Sequence, residues 1–541
     1  MEQTRETIAQ KLAERLCWQA ARRDDARVAR RLYRKQVVDG VYRLDEGALL
    51  DDFFYFLHEL GVVDLLGDVH GTAVQREMVP LVQYLLLYSL KTLFGIESMH
   101  ALPALLFSDE ALMRLVGFNA YQVRRGVCQR GAATRQGPRT TGPICSDALA
   151  DNIVKLHLRD LEALFNGVIR ALAKASVFAA KVTSIVDATD LETTAQYEGC
   201  GQVTRKRKIT DKRGKVHEID VTVYGWKLIV LIDARTKIPL AATVVPIQEH
   251  ETLSLRALVT QARTNLAGHA RLHKVVFDRG FLDGTDLWWL NQRGILFVVP
   301  AKDNMAVTVD AQAQAAAGEG GTVGRRAHTV RHGQGKTACT ERLETEVVGI
   351  TGLTTYDQYG TPEHARQHNR RDFAPNPINA VVVRKWHNRD YGPAGKTVFL
   401  TNASVAQPLR PFDDYDERSL IENCCIKESK QQWSLKHPPQ KTARAVRVHV
   451  MFTLLMFALA TAYRLQCEHE DTGREPVGWQ RWRRQLLEHM RDLVIVFAQD
   501  AYGIFHVAEY SLLVGVNLKD RPPGIGTRQQ ILAKYRLTAH G

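Results

Sequence analysis

Between residues 182 and 299 the chain alternates β-prone and helical runs in an order that few folds accommodate. Residues 182–187 (VTSIVD) form a first short β-prone run and 221–233 (VTVYGWKLIVLID) a long one; 238–245 follows after the turn ARTK, so the three read as a meander. A helical pattern fits 253–266, a buried strand 274–278, a helix 284–293 and a strand 295–299. Strand, hairpin, helix, strand, helix, strand predicts an α/β fold, a mixed sheet with helices packed on its faces.

Two aspartates end runs of this series. Asp187 follows Ile185 and Val186, and Asp278 follows Val275, Val276 and Phe277, so each is expected where the chain leaves the sheet. If the two strands are neighbours, both carboxylates emerge close together. An Asp after a strand also commonly opens a turn or caps a helix. Asp190 ranks second to Asp187 because it lies further past the strand end. A third carboxylate, Glu422, sits in the helix-like run YDERSLIENCCIKESK at 415–430. At about 100° per residue, Tyr415, Arg418 and Glu422 fall within about 60° of one another, Lys430 lies about 60° beyond Tyr415, and Glu428 points away. A solvated helix with spaced ion pairs would also place Arg418 near Glu422. Three carboxylates from distant parts of the chain suit Mg²⁺, which takes a few carboxylates and completes its shell with water and substrate oxygens. Two such ions about 4 Å apart both activate an oxygen nucleophile and neutralise a phosphodiester.

These residues carry a resemblance. Asp187-Ala188-Thr189 is similar to the D-G/A-T element, and Asp278-Arg279-Gly280-Phe281 to the D-R-G-F element, of the DDE transposases of bacterial insertion sequences. Tyr415, Arg418 and Glu422 match the first three positions of Y-x2-R-x3-E-x6-K, the signature of one branch. The lysine position departs: Ser429 stands there, with Lys427 and Lys430 nearby and Lys430 the preferred substitute. The resemblance covers roughly residues 100 to 465. It implies an RNase H-like fold, catalysis by Asp187, Asp278 and Glu422 holding Mg²⁺ (Mn²⁺ as a substitute), and cut-and-paste transposition through hairpin intermediates. It further implies DNA contacts from Tyr415, Arg418, Lys430, Lys427 and Arg279, and places Trp386 where relatives stack an aromatic on a flipped base. Partners follow from it: double-stranded DNA at terminal inverted repeats and at the target, and a homodimer holding two ends. Rival readings are a non-catalytic DNA-binding protein derived from a transposase, which has no need of the three carboxylates, and a stand-alone metal-dependent nuclease.

The domain scheme is a helical DNA-binding region over 1–178, the first part of the core over 179–301, a β-rich insertion over 302–411, the second part of the core over 412–467, and a helical region over 468–541 that is a candidate for dimerisation. Trp479 opens an amphipathic pattern running to Gln499, and the AQAQAAAGEGG stretch at 311–321 reads as low complexity. With 72 Lys and Arg against 59 Asp and Glu, a net charge of +13 favours a polyanionic partner. The basic loop at 130–142 could track a DNA backbone or be a solvated connector, and the segment at 204–215, with seven cations against one acid, could contact phosphate or be a solvated hairpin. Eight cysteines without a C-x-x-C pair argue against a zinc ribbon or disulfide framework. The charged start lacks the apolar core of a secretory signal, which predicts a cytoplasmic protein, and the resemblance implies one acting on a prokaryotic nucleoid. The apolar run 448–463 contains His449 and is short for a span of about 20 residues, so it reads as a buried helix and no membrane partner is expected. Gly335-Lys336-Thr337 mimics the end of a phosphate-binding loop, but Val330 occupies the required glycine position.

Overall fold

The structure is a computed structural model describing residues 21–43, 46–72, 79–127, 142–210, 216–318, 321–332, 339–360, 376–387, 395–419, 421–468, 478–490 and 492–537. Most of the basic segment at 130–142, the end of that at 204–215, and the Gly335-Lys336-Thr337 sequence lie outside the described residues. Two compact units emerge: Ser176–Lys427, and Met1–Ala175 together with Glu428–Gly541.

In chain order, β1 (Arg22–Arg23) and β2 (Gly40–Arg43) come first. Then follow β3 (Lys181–Thr193), β4 (Gly201–Thr210), β5 (Val216–Asp233), β6 (Pro239–Pro246), β7 (Arg271–Phe277) and β8 (Leu296–Pro300). β9 (Thr322–His332), β10 (Cys339–Leu353), β11 (Ile378–His387) and β12 (Gly395–Thr401) precede the last two, β13 (Leu493–Ala498) and β14 (Ala501–His506).

Unit Ser176–Lys427 is built on one sheet of ten strands. Its heart has the order β6-β5-β3-β7-β8, with β3, β5 and β6 an antiparallel meander and β3, β7 and β8 parallel. Helices Thr252–Leu266 and Gly284–Gln292 connect β6 to β7 and β7 to β8. The second half of β5, from Trp226 to Asp233, is buried at every residue except Lys227. Such a run shows no alternation because both faces of the sheet are covered. This mixed sheet flanked by helices is the predicted α/β fold.

Three features of the unit add to that pattern. The basic segment at 204–215, read as a phosphate contact or a solvated hairpin, begins in β4, which pairs antiparallel with the first half of β5 as in a hairpin. Ion pairs also tie β4 to the end of β3: Arg205 with Asp190 and Arg207 with Glu192. Gly225 marks where β5 exchanges β4 for β6 as its partner; its φ of 156° and its approach to the Leu191 carbonyl leave no room for a side chain. The low-complexity stretch is mostly helical, Ala306–Ala317, since alanine is the best helix former and Gly318 ends the run in a left-handed conformation. The insertion is β-rich as predicted, but its strands do not form a separate sheet: β12 pairs with β8, and β11, β10 and β9 extend the same sheet.

In the other unit, helix Ala443–Glu468 is the central element. It is long and apolar enough to cross a membrane, yet 94% of its most apolar window is buried inside the protein. It packs on helices Leu81–Leu93, Ser146–Val154 and Leu158–Lys174, so it belongs with the helical unit and not, as expected, with the second part of the core. The region beyond 468 is not all helical. Helix Trp479–Met490 stops short of Gln499, and β13 and β14 form a hairpin in a four-stranded sheet of order β1-β14-β13-β2. LVIVFA and AYGIFH flank a two-residue Gln499-Asp500 turn with Gln499 at φ 60°, the short connection of a hairpin.

Candidate active site

Strand register brings the two aspartates together. β3 and β7 run parallel with Ile185 opposite Val276 and Val186 opposite Phe277, so the next residues outward are Asp187 and Asp278. β7 ends there, and the chain turns through a 3-10 turn, Arg279–Phe281, whose Gly280 lies so close to the Glu251 carboxylate that a β-carbon would collide with it. Glu251 is in turn paired with Lys227 at 3.2 Å. Asp187 does not end its strand as expected. β3 continues six residues further, so Asp187 is a mid-strand residue, 7% exposed. Asp190, three residues on, projects from the opposite face of the strand and is paired with Arg205.

The third carboxylate arrives on a broken helix. The expected continuous helix over 415–433 is instead helix Leu409–Asp416, a tight turn, a π-helical turn Ile421–Ile426 and a short helix Lys427–Gln432. The Arg418 amide bonds the Tyr415 carbonyl and the Ile421 amide the Arg418 carbonyl, three-residue closures that tighten the backbone before the wider turn. The four-residue spacing of Arg418 and Glu422 survives, and the two side chains meet.

Arg418 Nη1 donates to Asp187 Oδ2 and pairs with Glu422 Oε1, each at 2.9 Å. Asp187 Oδ1 accepts from the Ala188 amide at 2.8 Å. Tyr415 Oη donates to Asp278 Oδ1 at 3.3 Å, its ring lying 4.5 Å from the Phe399 ring and 5.7 Å from the Arg418 guanidinium. Burial pushes the Asp187 carboxyl up to about 6; the Ala188 amide and Arg418 oppose the shift, while Glu422 and Asp278 add to it as like charges. Burial works against the Arg418 charge, but Asp187, Tyr415, Asp278 and Glu422 together outweigh it and hold its pKa above the ordinary value. Burial raises the Tyr415 phenol. Among the described residues no three His, Cys, Asp or Glu side chains form a ready-made metal cage. The donors nonetheless have the hard-oxygen chemistry Mg²⁺ takes, and their crowding is what a cation relieves.

Beside Asp278 opens a cleft of about 490 Å³ lined by Arg279, Lys385, Phe399, Phe412 and Tyr415. Trp386 follows Lys385 on β11, so strand alternation turns it to the other face of the sheet, where it is half-buried. Ser429, at the signature's lysine position, is buried, while Lys427 is exposed and Lys430 half-buried. Lys385, Phe399 and Phe412 escaped the sequence reading because nothing in an alternating apolar strand or an amphipathic helix sets a cleft-facing residue apart from a core one.

A carboxylate pair placed by parallel strands, with a glutamate joined through arginine, is a constellation that comparison can test. The family model for a transposase DDE domain matches residues 179–459. Among solved structures, the cryo-EM structure of a piggyBac transposase synaptic complex with hairpin DNA is similar at 10% identity, covering 86% of this chain and 80% of that one with a TM-score of 0.34. No curated protein matches. The domain match takes in all three carboxylates and spans more than half of the 541 residues, and the chain belongs to the transposases with a DDE domain.

Proposed function

We propose that the protein is the cut-and-paste transposase of an insertion sequence, of the branch marked by the Tyr-Arg-Glu-Lys signature, and that it cleaves at terminal inverted repeats and joins the freed 3′-hydroxyls to target DNA. The observation that carries this reading is the β3–β7 register setting Asp187 beside Asp278, with Arg418 linking Asp187 to Glu422.

Asp187, Asp278 and Glu422 would hold Mg²⁺, with Mn²⁺ able to replace it. When bound, the metal supplies an activated oxygen nucleophile and neutralises charge at the phosphate. Tyr415 orients Asp278 through its hydroxyl. Arg418 holds two carboxylates close when no substrate is present; its planar, multidentate guanidinium is equally suited to a phosphodiester, and transfer to one would release Asp187 and Glu422 for ligation. Lys430 or Lys427 provides the remaining basic contact, and Arg279, which lines the cleft, another. Two ends held together require two active sites, hence a dimer on DNA, with excision through hairpin ends.

The test is a donor plasmid carrying the DNA that flanks the coding sequence, incubated with the purified protein, a target plasmid and Mg²⁺, Mn²⁺ or chelator. Breaks at the element ends, hairpin-capped fragments and joined products, all abolished by chelator, are the expected result. Cutting without joining would favour a stand-alone nuclease, and binding without cutting a non-catalytic descendant; either would overturn the proposal.

A further inference from the structure

We infer that Lys385 is a DNA-phosphate contact of the cleft beside Asp278, acting with Arg279 on the strand that enters the active site. The inference deepens the proposed function and rests on it.

In unit Ser176–Lys427, cations near the sheet generally have a carboxylate. Lys274 is paired with Asp414, Arg256 with Asp286, Arg326 with Asp413, and Arg325 and Arg384 with Glu346. Among the described residues Lys385 and Arg279 make no ion pair, and both are exposed in the same cleft. Two cations without an ion pair in one cleft favour an anion there.

The floor narrows the choice of anion. Phe412, Phe399 and Tyr415 line it, and the Lys385 ammonium stands 5.2 Å from the centre of the Phe412 ring. Arg326 lies at the same 5.2 Å from that ring, but Asp413 already neutralises it. The remaining acids of the cleft are Asp278, bonded by Tyr415, and Asp416. An anion with an apolar body fits such a site better than inorganic phosphate does: a nucleotide unit of a DNA strand, its phosphate toward Lys385 and Arg279 and its sugar or base on the rings. On β11 the cleft-facing residue is Lys385 and not Trp386, by strand alternation.

The test compares Lys385→Met, which keeps the aliphatic stem over Phe412 and removes the charge, with Lys385→Arg. The probe is a fluorescent duplex copied from the DNA flanking the coding sequence, titrated across salt concentrations without divalent metal. For Lys385→Met the slope of log affinity against log salt should shrink by about 0.9, one phosphate's worth, with a several-fold loss of affinity at low salt. Lys385→Arg should restore both, and thermal unfolding should be unchanged in the two variants. A slope identical to that of the unmutated protein in a normally folded Lys385→Met would overturn the contact while leaving the transposase reading intact. An unmutated protein that neither binds this duplex nor cuts it with Mg²⁺ would sink both.

Discussion

Two clusters of ionisable groups in the protein are treated oppositely. In the candidate active site, Asp187, Arg418 and Glu422 form a chain of opposite charges, with Glu422 54% exposed at one end. In the helical unit, Tyr88, Lys91 and His449 are buried completely, with no carboxylate bonded to them among the described residues. Burial, aided by the charge of Lys91, pushes the His449 imidazole down to about 3, so it is neutral. Its Nε2 donates to the Ser434 carbonyl at 2.8 Å, which leaves Nδ1 to accept from the Tyr88 hydroxyl at 2.7 Å. Where a buried imidazole is neutral and bonded at both nitrogens it ties helices together; where carboxylates meet a guanidinium beside Asp278, chemistry becomes available.

The largest break in this comparison should come from the acids. Replacing Asp187, Asp278 or Glu422 by Ala should lower cleavage by more than the ~10–100-fold typical of losing an outer partner of a metal ligand, while DNA binding, measured by mobility shift, persists. Near-normal Mg²⁺-dependent cutting by Asp278→Ala would remove that residue from the site.

His449→Ala should act in the opposite sense, on the fold and not the chemistry. It opens a cavity and strands the Tyr88 hydroxyl and the Ser434 carbonyl, at about 2–4 kcal/mol, read from denaturant midpoints. Cleavage per folded molecule should be unaffected. A loss of activity with full stability would mean that this cluster is not purely structural.

A smaller effect separates the two regions by pH. Because Asp187 is raised to about 6, it takes up a proton as pH falls through that value, and cleavage by the unmutated protein should drop by about tenfold per unit below it. Protonation relieves the cost of burying that charge, so the same titration should not itself unfold the protein. A flat rate profile from pH 7 to 5 would contradict the assignment.

The smallest change is expected at Lys91, whose ammonium burial lowers to about 8. Below that pH the folded state carries a buried charge against its interest; between about 8 and the ordinary lysine value the unfolded chain binds more protons, so this group makes stability rise with pH. Lys91→Met should flatten that rise and be neutral or stabilising by about 1 kcal/mol near pH 7. Clear destabilisation would show that Lys91 has a partner role that its position does not reveal.

Local pattern carried much of the active-site unit. The meander and the two parallel strands were legible because apolar runs, turns and helical spacing recur in an order that only a mixed sheet satisfies, and because Asp187 and Asp278 interrupt apolar runs where a carboxylate is otherwise costly. The spacing of Tyr415, Arg418 and Glu422 was legible for the same reason, though not the break between them, since a π-helical turn leaves no periodic trace. β4 was partly hidden by its composition: five polar or charged residues from Thr204 to Lys208 read as a phosphate contact or a solvated hairpin until Asp190 and Glu192 are seen paired with Arg205 and Arg207. Likewise the hairpin of β13 and β14 is completed by β1 and β2, more than 400 residues away in sequence.

By itself, then, the sequence determined which segments are strands and helices around the acids and which residue types could bind metal and phosphate. Only the tertiary structure decided which strands are neighbours, that Asp187 faces Asp278 while Asp190 faces away, and that Lys385 and not Trp386 reaches the cleft. The physical reason is range: periodicity and propensity act over a few residues, whereas register, strand face and ion pairing depend on contacts between segments the chain brings together only on folding.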